Sequence, residues 1–81
     1  MDQQERYEIY KERIRCLREE QHISQEMLAL YINVDQKSIS DYERGRTRIP
    51  VAHLIKIARF FDVSMDYITG ASDIRSAFPR K

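Results

Sequence analysis

Between Ser24 and Gly45 two helical patterns follow one another with almost no chain between them. Leu28, Ala29 and Ile32 form the apolar side of a short helix, and Ile39 and Tyr42, three residues apart, form that of the next. Only Asn33, Val34 and Asp35 separate the two patterns. Ser24 is a natural N-cap for the first helix, although Met27 stands where a capping box would place Glu. Asn33 tolerates the left-handed conformation that ends a helix better than any residue except Gly. Asp35 is a second N-cap, and Gly45 stops the second helix. So short a connection makes the second helix turn sharply and pack across the first. Ala29 is small where the two approach most closely, and Val34 and Ile39 plug the core between them.

The flanking sequence predicts three further helices. Tyr7, Tyr10, Ile14 and Leu17 recur at steps of three and four, which predicts a helix from about Arg6 to Gln21. Tyr7 and Tyr10 read either as core or cover for that helix or as a dimer contact. Pro50 is suited to open a fourth helix with Leu54, Ile57, Ala58 and Phe61 on its apolar face. Ser64 then caps a brief last helix through Met65, Tyr67 and Ile68, closed by Gly70. Residues 71–81 carry no caps and little periodicity, so they are set aside as a C-terminal tail after a single domain over 1–70. With 81 residues, two glycines and two prolines, the chain has too few turn residues for a sheet. The expectation is an all-α domain of five helices.

Other classes find little support. The N-terminus is charged from its second residue and lacks the apolar core of a signal peptide. No stretch approaches the ~20 apolar residues that span a bilayer, so a cytoplasmic, non-membrane protein is expected. The single Cys16 has no internal disulfide partner and reads as a buried or half-buried inert thiol. His22 and His53 lie 31 residues apart with no closely spaced ligand, so both read as surface histidines and no metal or cofactor is expected. The serines lack a His–carboxylate arrangement, and Asp41 and Glu43 point to different faces of their helix, so no enzyme is expected. Net charge is only +1, but it is unevenly distributed. Residues 1–35 carry five basic and eight acidic side chains (−3), residues 36–59 six and two (+4), and residues 60–81 three of each. The positive charge collects on and just after the third helix.

Polar Gln36, Lys37, Ser40 and Asp41 occupy the side of that helix opposite Ile39 and Tyr42. A helix polar on one face and buried on the other, set across its predecessor, is the geometry of a helix-turn-helix. In the order and spacing of Ile23-Ser24-Gln25-Glu26, Leu28-Ala29, Val34, Ser38-Ile39-Ser40, Tyr42-Glu43-Arg44-Gly45, Pro50 and Asp62-Val63-Ser64, the chain resembles the lambda-repressor-like (Xre/Cro-type) helix-turn-helix family. The resemblance runs from about Arg13 to Gly70. It departs from the family at Asn33, where Gly is commonest, and at Leu30 and Tyr31, where charged residues are usual. Leu30 and Tyr31 extend an apolar surface either toward the first helix or toward a partner.

The resemblance implies roles at matching positions. Gln25 would bind phosphate and brace the recognition helix. Gln36, Lys37 and Asp41 would face base edges, with Ser38 and Ser40 near phosphate or base. Arg44, Arg46 and Arg48 would clamp the backbone, and Arg18 with Glu43 would form a partly buried salt bridge. Side-chain chemistry fits: Gln36 suits adenine N6 and N7, and Lys37 suits guanine O6 and N7. Asp41 suits cytosine N4 as an acceptor, or acts as an anti-determinant against wrong bases. The expected function is sequence-specific binding of double-stranded DNA by a transcriptional regulator of repressor type, acting as a homodimer on an inverted repeat. The alternative is an antitoxin-like interaction module that keeps the fold and binds a protein partner through its first helix or C-terminal tail.

Overall fold

The computed structural model describes residues 3–79, with side chains from Ile9 onward. In it the chain forms α1 (Gln3–Glu20), α2 (Gln25–Ile32), α3 (Gln36–Arg44), α4 (Val51–Phe61) and α5 (Met65–Thr69), with no strand among the described residues. The fold is the expected all-α, five-helix arrangement. Tyr7 lies outside the residues whose side chains are described, and Tyr10 is half-buried.

Helix starts and stops follow from local chemistry. Ser24 Oγ accepts from the Met27 N–H at 3.0 Å, and Ser64 Oγ accepts from the Tyr67 N–H at 3.1 Å. Asp35 takes the N-cap position of α3 without a side-chain cap bond. Four helices end through a left-handed residue whose successor reaches back to close the last turn. At Asn33 (φ 59°) the Val34 N–H donates to the Ala29 carbonyl at 2.9 Å. Gly45 repeats the arrangement after α3, where the Arg46 N–H donates to the Asp41 carbonyl at 2.9 Å. The same closure occurs at His22 (φ 55°) and Asp62 (φ 54°), neither of which stands out in the sequence as a helix stop. Ile23, Val34 and Val63, which follow three of these turns, drop into or against the core.

Each helix contributes one of the five largest side chains with no exposed surface: Ile14, Leu28, Ile39, Ile57 and Ile68. Burying each of these stabilises the fold by about 1.5–3 kcal/mol before entropy is counted. Around this centre lie Leu17, Ala29, Tyr42, Leu54, Phe61 and Tyr67. Gly70 is required by a close approach: it sits at φ 83°, and a Cβ there would lie 2.9 Å from Cγ2 of Ile9 on α1.

Two local expectations are corrected. Cys16 is exposed rather than buried, because it sits beside the apolar stripe of Ile14 and Leu17 and not on it. His53 is half-buried, not a surface histidine.

Residues 71–79 form no helix, but they are strapped to the domain. Arg13 Nη1 donates to the carbonyls of Tyr67 and Ser72, and Nη2 meets Asp73 Oδ1 at 2.8 Å. Arg75 makes a two-pronged pair with Glu20 at 2.7 and 2.8 Å and donates through Nε to the Tyr67 hydroxyl at 3.0 Å. The Ser64 N–H donates to the Ser76 carbonyl at 2.7 Å, and Phe78 packs partly buried against the core.

Candidate nucleic-acid interface

The candidate interface is built on α3, a helix of nine residues. Ile39, Tyr42 and Glu43 are its buried positions. At about 100° per residue, these three define one side, and Lys37, Ser40, Asp41 and Arg44 cluster on the other, with Gln36 at its edge. Gln36, Lys37 and Arg44 are exposed, while Ser38, Ser40 and Asp41 are half-buried. Arg46 and Arg48 stand exposed in the six-residue stretch 45–50 between α3 and α4. The cations expected at the backbone thus follow directly from the end of the polar face.

A charged network holds this helix from behind. Arg18 on α1 presents Nε to Glu43 Oε2 at 2.7 Å and Nη2 to Oε1 at 2.8 Å, while Nη1 donates to the Ile23 carbonyl at 2.9 Å. The Glu43 side chain is only 3% exposed and that of Arg18 15%. The Glu43 hydrogen bond pushes the Arg18 pKa above its ordinary value, against the opposing pull of burial. Gln25, the first residue of α2, donates through Nε2 to Glu43 Oε1 at 3.1 Å. The structure therefore brings Arg18, Gln25 and Glu43 together at one carboxylate, tying α1 and α2 to the inner side of α3.

A second brace was not visible in the sequence. The Tyr42 hydroxyl lies 2.7 Å from His53 Nδ1 on α4. Burial raises the Tyr42 pKa, and the nearby Ser38 hydroxyl opposes that rise. The one available signal is that a tyrosine at a core position must find a partner for its hydroxyl. Leu30 and Tyr31 resolve differently from either expectation alone. Tyr31 stacks on Phe60 of α4, with ring centroids 5.2 Å apart, rather than facing α1, and Leu30 stays 79% exposed.

Two helices crossed at a left-handed asparagine, the second buried on one side and polar on the other, define the helix-turn-helix class of fold. The sequence pattern of the helix-turn-helix family matches residues 14–68, and the chain belongs to that family in its lambda-repressor-like (Xre-type) form, a family of DNA-binding transcriptional regulators. It is 37% identical over 65 residues to a protein of Bacillus subtilis (strain 168) named as an uncharacterized HTH-type transcriptional regulator, YobD. It is 39% identical over 69 residues to a protein of Rhodospirillum rubrum named as an uncharacterized transcriptional regulator in the ATPase CF(0) region. These matches cover 80% and 85% of this chain but only 58% and 62% of the two relatives, respectively. No solved structure matches the chain. Among the described residues no helix is long and apolar enough to cross a membrane.

Proposed function

We propose that this chain is a sequence-specific regulator that inserts α3 into the major groove of double-stranded DNA and represses transcription by occupying an operator. The observation that carries the reading is the two-sidedness of α3, with Gln36, Lys37 and Arg44 exposed and Ile39, Tyr42 and Glu43 buried. In this reading Gln36, Lys37 and Asp41 face base edges, with Ser38 and Ser40 at their flank. Arg44, Arg46 and Arg48 contact phosphates, and these carry affinity without sequence information. Gln25 has a double use, bracing Glu43 while its position at the start of α2 faces the backbone of the duplex. One such helix spans few base pairs, so two copies act together on an inverted repeat. Half-site centres then lie about 34 Å apart or a multiple of that. The protein acts in the cytoplasm, needs no cofactor and performs no catalysis.

The test is selection of bound sites from a random duplex library, followed by titration of the selected duplex with salt. A symmetric site is expected, with two chains per duplex in gel-shift stoichiometry. About five phosphate contacts per chain predict a log–log salt slope near −4.5 for one bound copy. A slope near zero overturns the proposal and leaves an interaction module that has kept the fold.

A further inference from the structure

Tyr42 is 5% exposed, yet it carries a hydroxyl into the base of the candidate interface. That hydroxyl makes a close hydrogen bond to a side chain on another helix. Ser38 stands four residues before Tyr42, one turn earlier on α3. His53 Nδ1 meets the Tyr42 hydroxyl at 2.7 Å from the first turn of α4. The rings of Tyr42 and His53 are 6.1 Å apart and inclined at 53°, so the O–N bond, not ring stacking, is the close contact. The His53 backbone is itself fixed, because its N–H donates to the Pro50 carbonyl at 3.0 Å. In the neutral imidazole protonated on Nε2, the Tyr42 hydroxyl donates to Nδ1.

The sequence between these partners gives the bond its consequence. Residues 45–50, with Arg46 and Arg48, join α3 to α4, and the Tyr42–His53 bond closes the base of that loop. The Arg18–Glu43 pair holds α3 from α1, but nothing in that pair fixes α3 relative to α4. We infer that His53 is a positioning residue for DNA recognition: through Tyr42 it sets the rotation of α3 against α4 and the placing of the basic loop. This rests on the proposed DNA-binding function. It adds a residue that touches no base and that nonetheless governs discrimination between duplexes.

The experiment compares His53→Leu, which keeps bulk but has no ring nitrogen, with His53→Asn, whose amide places a polar atom at the position of Nδ1. Tyr42→Phe removes the other half of the bond. Each is measured on the selected duplex and on a random duplex, and each free protein is followed by amide hydrogen exchange. In His53→Leu the preference for the selected duplex falls roughly tenfold, equivalent to about one base contact, while random-duplex affinity and salt slope stay within about twofold. His53→Asn recovers the preference. Tyr42→Phe reproduces the loss, and the double variant Tyr42→Phe/His53→Leu adds nothing further. In the free protein, exchange at the α3 amides accelerates in His53→Leu and returns in His53→Asn, with α1 unchanged. The inference is overturned if His53→Leu and His53→Asn behave alike, if affinity for both duplexes falls in parallel, or if α3 exchange does not change. Should the wild-type protein bind no duplex, the proposed function fails, and the exchange measurement still decides whether His53 holds α3.

Discussion

Arg18 and Glu43 form a two-pronged ion pair, 2.7 and 2.8 Å long, that joins α1 to the buried side of α3. Opposite this pair, α3 carries its polar face, so the same nine-residue helix is gripped from within and free on the outside. Taking two charges out of water is costly, and the pair is tolerable because each polar atom has a partner: Ile23 accepts from Arg18, and Gln25 donates to Glu43.

Breaking the pair on one side should therefore be worse than replacing both partners. Glu43→Ala leaves the largely buried Arg18 guanidinium without its carboxylate partner and is expected to cost about 3 kcal/mol. The double variant Arg18→Met/Glu43→Leu should recover most of that loss. Urea unfolding of the three proteins checks this, and an equal loss in the single and double variants would contradict it.

The strap over residues 71–79 should loosen in acid. Its hydrogen bonds from Arg75 hold the Glu20 carboxyl below its ordinary range. A depressed folded-state pKa stabilises the protein fully above the unfolded value, ~4.3, and this contribution is lost as pH falls through the depressed value. Glu20→Gln should thus lower the melting temperature at neutral pH and make no difference at the acid end of that window. High salt should shrink the neutral-pH difference, because both side chains are about half exposed.

The left-handed turn at His22 stores removable strain. A non-glycine residue there costs ~1–2 kcal/mol, and glycine returns part of that gain by loosening the unfolded chain. His22→Gly should raise stability by about 0.5 kcal/mol, and β-branched His22→Val should lower it by more than ~1 kcal/mol. Thermal unfolding distinguishes the two directions.

The base and phosphate roles separate in binding. Gln36→Ala should relax preference at one base pair by about 1–3 kcal/mol while leaving other positions unchanged. Arg46→Ala should weaken all duplexes about equally and reduce the salt slope by about one. Competition binding against single-base variants of the selected site reads both outcomes. If Gln36→Ala weakened every sequence alike, its base-reading role would be wrong.

The bounds of α3 were readable residue by residue, because Asn33, Asp35 and Gly45 act through their own backbone preferences. The five largest wholly buried side chains were likewise readable, since spacing at three and four residues marks an apolar stripe regardless of what it packs against. The exposure of Cys16 was not legible, because a residue flanking such a stripe is buried or exposed according to where the neighbouring helix lies. His22 and Asp62 were missed as helix stops because tertiary packing of Ile23 and Val63 supports left-handed turns that their residue types only weakly favour.

Local chemistry was thus enough for the five helices, the caps at Ser24, Asn33, Gly45, Ser64 and Gly70, and the polar face of α3, all of which depend on residues within a turn or two. Contacts between distant segments settled the rest. Tyr42 and His53 are 11 residues apart, Arg13 and Asp73 are 60, and Tyr31 meets Phe60 across two helices. No periodicity encodes such pairs, because which side chains meet depends on how the five helices pack around one shared core. That packing made α3 a braced helix, held through Glu43 to α1 and α2 and through Tyr42 to α4, rather than merely an amphipathic one.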